Sequence, residues 1–184
     1  MSKRFARLEP HHRDFIARQH MFFTASATAE GRVNVSPRGT DSFRVLSDNA
    51  AFYLDRTGSG NETAAHLLAD GRLTIMFCAF DGPPLILRLY GQGRIIARGG
   101  AEYADLLRAH FGGAEPLGAR QMTRIDFDLV QTSCGYGVPL LDYREERTQM
   151  DGWAKAKGPE GIRDYWAEKN QMSMDGLPTG LLGG

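Results

Sequence analysis

Apolar and polar positions in this chain fall into many short runs rather than a few long ones. Residues 10–19, PHHRDFIARQ, open on a proline, whose missing N–H goes unnoticed in a first helical turn, and predict a short helix. Two β-leaning runs, Met21 to Thr28 and Arg32 to Ser36, flank Ala29-Glu30-Gly31, which reads as a hairpin turn. Pro37 has no N–H to donate to a neighbouring strand, so it ends the second run or places it at a bulge or edge. Residues 43–55, FRVLSDNAAFYLD, predict a further pair of strands around the turn Ser47-Asp48-Asn49.

The pattern then changes. Thr57-Gly58-Ser59-Gly60-Asn61-Glu62 is a glycine-rich loop leading into a short helix, TAAHLLAD, stopped by Gly71. LTIMFCAF reads as a buried strand, and Asp81-Gly82-Pro83-Pro84 as its turn. LILRLYGQGRIIAR is a long strand in which Gly91 and Gly93 signal a bend or bulge. Residues 101–111 carry apolar side chains at helical period, and RIDFDLVQ alternates Ile125, Phe127 and Leu129 with charged neighbours as a half-buried strand does. The tail, WAKAKGPEGIRDYWAEKNQ, predicts one or two helices broken near Gly158-Pro159. Many short β-runs with few helices, and no strict β-α-β alternation, predict a small, mainly β barrel with flanking helices. The 184 residues are expected to form one domain, with no linker or repeat between parts.

Composition narrows the function classes. The formal net charge is +0, without the basic excess usual in nucleic-acid binders. No apolar run approaches the roughly 20 residues that span a bilayer. The amino terminus, MSKRFARLEPHHRDF, is basic but has no apolar core, so a cytoplasmic protein is expected. Cys78 and Cys134 stand far apart, and the five histidines show no zinc-type spacing, so no metal site is expected. No G-x-S-x-G elbow or triad is present, and no residue is assigned as a catalytic acid, base or nucleophile.

Three features can serve a ligand. Ser59 and Glu62 match a capping box, with Asn61 as an alternative cap, and either start leaves backbone N–H groups of the kind that receive a phosphate. Val33-Asn34-Val35-Ser36-Pro37-Arg38-Gly39 ends a strand on an arginine whose planar fork matches phosphate geometry. Arg88, Tyr90 and Arg94 share one face of the long strand if its alternation is unbroken. Each has a plainer reading: a capped helix, a surface arginine, a solvated face.

Taken in order, VNVSPRG, AFYLD, TGSGNET, AHLLAD, GRLTIMF and LRLYGQGRI resemble the pyridoxamine 5′-phosphate oxidase-like family of FMN-binding split barrels, over roughly residues 20–130. The resemblance implies a six-stranded antiparallel split β-barrel, a homodimer, and FMN in a groove at the dimer interface. It implies that Val33, Val35, Ser36, Pro37 and Arg38 lie along the flavin, with Arg38 on its phosphate. Tyr53 and Leu54 would follow the ring and ribityl chain, and Ser59, Asn61, Glu62 and Thr63 the phosphate. Arg88 joins this set as a groove residue, and Tyr136 or Trp153 as a cap on the ring. The activity so implied is hydride or electron transfer to a small molecule, with NAD(P)H as a donor. A non-catalytic flavin or haem binding protein, with His20, His66 or His110 as axial ligand, and a deazaflavin-dependent reductase are the alternatives.

Overall fold

The computed structural model describes residues 2–183. Its strands are β1 (Lys3–Phe5), β2 (Met21–Ser26), β3 (Asn34–Gly39), β4 (Phe43–Val45), β5 (Ala50–Arg56), β6 (Arg72–Cys78), β7 (Ile86–Ala97) and β8 (Ala119–Ser133). The helices are α1 (Pro10–Ala17), α2 (Glu62–Ala69), α3 (Ala101–Phe111) and α4 (Gln149–Lys169). α4 is interrupted at Gly158, which adopts φ 67° ahead of Pro159, so the expected break lies where the glycine-proline pair predicts it.

One antiparallel sheet runs in the order β3-β2-β6-β7-β8-β5-β4, with β1 added beside β8. This is the antiparallel split-barrel architecture expected. Among the described residues the strand count is eight rather than six, and two of the eight, β1 and β4, have only three residues each. β3 and β4 end this strand order, and the split lies between them. Pro37 sits on edge strand β3, where one side of the backbone makes no ladder and the absent N–H is tolerated.

The barrel interior is filled by Phe22, Phe43, Tyr53, Ile75, Phe77, Leu87, Leu89, Ile125 and Val130, among others. Phe22 is its hub, with ring centroids 5.2 Å from Phe43, 5.5 Å from Tyr53 and 5.6 Å from Phe77. A second cluster, Phe52, Leu54, Ile96, Tyr103 and Met122, lies on the other face of the sheet under α3. β5 thus buries both of its faces, which is why AAFYL reads as a continuous apolar run.

Two bulges in β8 shape the barrel. Tyr90 pairs with Leu129 but Gly91 with Phe127, so Asp128 is the extra residue and the interior positions of β8 switch from odd (Ile125, Phe127) to even (Val130). The bulge expected in the glycine-bearing strand therefore belongs to its partner. Gly91 is the residue opposite: a Cβ there would stand 2.5 Å from the Cα of Phe127. β7 itself alternates without a break. The second bulge makes Arg120 the extra residue, since Asp55 pairs with Gln121 and Arg56 with Ala119.

Candidate functional site

A cleft of about 780 Å³ opens beside the split. β3 supplies Ser36, Pro37 and Arg38, β5 supplies Leu54 and Arg56, and the 57–61 loop with the start of α2 closes one end. Its floor is a buried charge cluster. Asp55, 2% exposed, ends the apolar run of β5, where a carboxylate needs partners. Arg38 Nη1 donates to its Oδ1 at 2.5 Å, tying edge strand β3 to β5 across the split. Arg120 donates to Oδ2 from Nη2 at 2.8 Å and from Nε at 3.2 Å, and Gln121 Nε2 donates to the same oxygen at 2.9 Å. Residues 120 and 121 are adjacent, and in a regular strand they would face opposite ways; the bulge turns both to Asp55.

Burial pushes the Asp55 carboxyl up, but Arg38 and Arg120 outweigh it and hold it below the usual carboxylate range. Burial likewise disfavours the charged Arg38, and Asp55 and Tyr53 more than restore it. The Arg38 guanidinium lies 4.6 Å over the Tyr53 ring. Burial raises the Tyr53 hydroxyl above its ordinary value against the pull of Arg38. Two guanidiniums thus share one carboxylate, leaving one surplus positive charge in the floor of the cleft. Arg38 Nε and Asn61 Nδ2 are buried donors with no partner among the described residues.

The start of α2 differs from the expected capping box. Asn61, not Ser59, is the N-cap, and its side chain does not cap; its Oδ1 accepts from Gln121 Nε2 at 2.9 Å instead. Glu62 does not fold back on the helix. Its carboxylate accepts from the backbone N–H of Met174 at 3.0 and 3.2 Å. The first N–H groups of α2 are therefore left without a side-chain cap.

Of the residues singled out from the sequence, Ser36, Pro37, Arg38, Leu54, Ser59, Asn61, Glu62 and Thr63 line this cleft together. Tyr53 lies beneath it, fully buried in the barrel core. Val35 is 59% exposed on β3, and Val33 lines a separate cavity of about 900 Å³ together with Tyr90 and Arg124. Arg88 donates to Ser133 and Tyr90 to Gln131 on the outer face of the sheet, away from the cleft. Tyr136 is 82% exposed, and Trp153 packs edge-on to Tyr165 along α4; neither lines the cleft. Of the histidines considered as axial ligands, His66 is buried against Ser26 Oγ, His20 stacks on Tyr143 and His110 lies edge-on to Phe52. None of the three lines the cleft.

Sequence reading passed over Asp55, Arg120 and Asn170. A carboxylate closing a fully apolar strand was a usable signal for Asp55. Nothing local marks Arg120, whose orientation depends on a bulge. Among the described residues no group of three His, Cys, Asp or Glu side chains is placed to hold a metal, and no helix is long and apolar enough to cross a membrane.

Comparison with known proteins agrees with the geometry. The solved structure of HupZ from Group A Streptococcus superposes with a TM-score of 0.56 at 21% identity, covering 68% of this chain and 98% of that one. A pyridoxamine 5′-phosphate oxidase-type protein of Lactobacillus delbrueckii gives 0.54 at 15% identity, covering 68% and 94%. Both show the fold. A pyridoxamine 5′-phosphate oxidase family protein of Aspergillus flavus, ustO, is 40% identical over 182 residues, covering 90% of this chain and 73% of the relative. The family profile described as pyridoxamine 5′-phosphate oxidase matches residues 8–134. On these matches the chain belongs to the pyridoxamine 5′-phosphate oxidase family.

Proposed function

We propose that this protein binds FMN in the cleft beside the split and is an oxidoreductase acting on a small molecule. The observation that carries the reading is the charge cluster in the cleft floor: Arg38 and Arg120 share the single carboxylate of Asp55. Arg38, Arg120, Asn61 and the start of α2 line the same cleft; they bring one unit of surplus positive charge, two buried donors without partners among the described residues, Arg38 Nε and Asn61 Nδ2, and a helix start without a side-chain cap. A phosphate monoester, doubly charged and rich in acceptors, fits that donor set. Glu62, a carboxylate of the cleft lining that would oppose an anion, has both oxygens engaged by the Met174 N–H.

Bound flavin would supply hydride or electron transfer. The protein's part is to hold the phosphate through Arg38 and the α2 start, and to seat the ring against β3 and Leu54. The open edge of β3, with Val35 59% exposed on it and Val33 69% exposed just before it, suits cover by a second copy of the chain. A monomer by light scattering at micromolar concentration would remove that part of the reading.

The test is a fluorescence titration with FMN and with riboflavin, followed by anaerobic mixing with NADH or NADPH. FMN should bind more tightly than riboflavin, and a nicotinamide donor should bleach the bound flavin. Arg38→Ala should weaken FMN by about 1.5–3 kcal/mol, the range for hydrogen bonds to charged groups. A wild-type protein that takes up no FMN refutes the proposal, and unchanged FMN affinity in Arg38→Ala removes Arg38 from the phosphate site.

A further inference from the structure

The chain beyond residue 134, outside the family match, sends buried polar side chains toward the cleft, and Asn170 reaches its underside. Asn170 follows α4 and is fully buried. Its Oδ1 accepts from Arg120 Nη1 at 2.9 Å, and its Nδ2 donates to the Gly58 carbonyl at 3.2 Å. Its own carbonyl accepts from Thr179 Oγ1 at 2.6 Å, which locks it in place. Arg120 Nη1 also donates to the Gly60 carbonyl at 2.9 Å. With two bonds to Asp55, four of the five N–H groups of Arg120 are committed. The remaining one, on Nη2, has no partner among the described residues. Nearby, Trp166 Nε1 donates to Thr57 Oγ1 at 2.8 Å, so the end of α4 is fastened to the glycine loop at both Thr57 and Gly58.

We propose that Asn170 is a positioning residue for the phosphate end of the cleft, fixing Arg120 and the 57–60 loop together in the arrangement that receives a phosphate monoester. This rests on the flavin-phosphate reading above. Asn170 does not itself line the cleft; it acts through Arg120 and Gly58. Its neutrality matters as much as its geometry. An aspartate there would still accept from Arg120, but its charge would cancel the surplus that Arg38, Arg120 and Asp55 leave.

The experiment compares FMN and riboflavin dissociation constants in wild type, Asn170→Ala and Asn170→Asp, with thermal melting of each. The ratio of the two constants isolates the phosphate. The FMN-to-riboflavin ratio of dissociation constants should rise about tenfold in Asn170→Ala, one lost bond to a charged group, and further in Asn170→Asp, with riboflavin affinity unchanged in both. A merely structural role predicts instead that both flavins weaken together and the ratio stays put, since aspartate keeps the pairing with Arg120 but loses the donor to the Gly58 carbonyl. Should Asn170→Ala not fold, Asn170→Asp carries the comparison alone. If wild type binds neither flavin, the flavin reading fails and inorganic phosphate becomes the probe. A phosphate-induced rise in Tm that is lost in Asn170→Asp then supports the proposal; an equal rise in both proteins, or none in wild type, overturns it. An unchanged FMN-to-riboflavin ratio in both variants overturns it as well.

Discussion

Consider Asp55→Asn. The replacement keeps the side-chain volume but removes the charge and sets an amide N–H against groups that are themselves donors. Arg120, whose side chain is 3% exposed, and Arg38, at 19%, lose their shared counter-charge. Removing one partner of a buried ion pair costs about 3–5 kcal/mol, and the partial exposure of Arg38 places this case toward the lower end. For a chain of this length 1 kcal/mol corresponds to about 2–4 °C in Tm, so the variant should melt about 6–15 °C lower. Urea unfolding followed by tryptophan fluorescence measures the loss directly. A loss under about 1 kcal/mol would refute the reasoning, because two buried guanidiniums would then be shown to need no carboxylate. The acid limb gives a second reading. Burial opposes ionisation of Asp55, but the two arginines hold its folded pKa below the ordinary 3.8. A group with a depressed folded value stabilises the fold above its unfolded value and loses that contribution as pH falls through the folded one. The gap in stability between wild type and Asp55→Asn should therefore be full near neutrality and close below pH 3.8.

Two further outcomes follow from the core and the amino-terminal helix. Gly91→Ala puts a Cβ 2.5 Å from the backbone of Phe127 at the β8 bulge, where no flexible side chain can yield; it should cost about 3 kcal/mol by urea unfolding, and a neutral effect would refute the assignment of the bulge. His12 is fully buried, its Nδ1 accepts from the Glu9 N–H, and burial and His11 hold its pKa below 6.5 against the pull of Glu9. Protonation thus favours the unfolded chain, and stability should decline as pH falls below 6.5 in wild type but less in His12→Gln; parallel pH profiles would overturn this.

Local signals carried much of the architecture. The proline at the start of α1, the helical period of 101–111, the turn at 47–49 and the Gly158-Pro159 break each act within a few residues, so each was legible in the sequence. The resemblance in element order brought Arg38, Leu54 and the 59–63 segment to one place, and they do share a cleft. No such signal marks Tyr136 or Trp153, and both lie outside the cleft.

By itself, then, the sequence determined where strands and helices form and that they make a small, mainly β barrel, because period, turn chemistry and burial are properties of short stretches; the split-barrel order of the strands was legible only through the family resemblance. Tertiary structure alone decided how the charges meet. The bulge at Arg120 turns two successive side chains to one carboxylate, and the bulge at Asp128 reverses which face of β8 is interior. Glu62 pairs with Met174 over 112 residues of separation, and Asn170 reaches Arg120 across 50. Such pairings have no local signature, since a long-range hydrogen bond forms only after the closed barrel has brought its two ends within about 3 Å of each other.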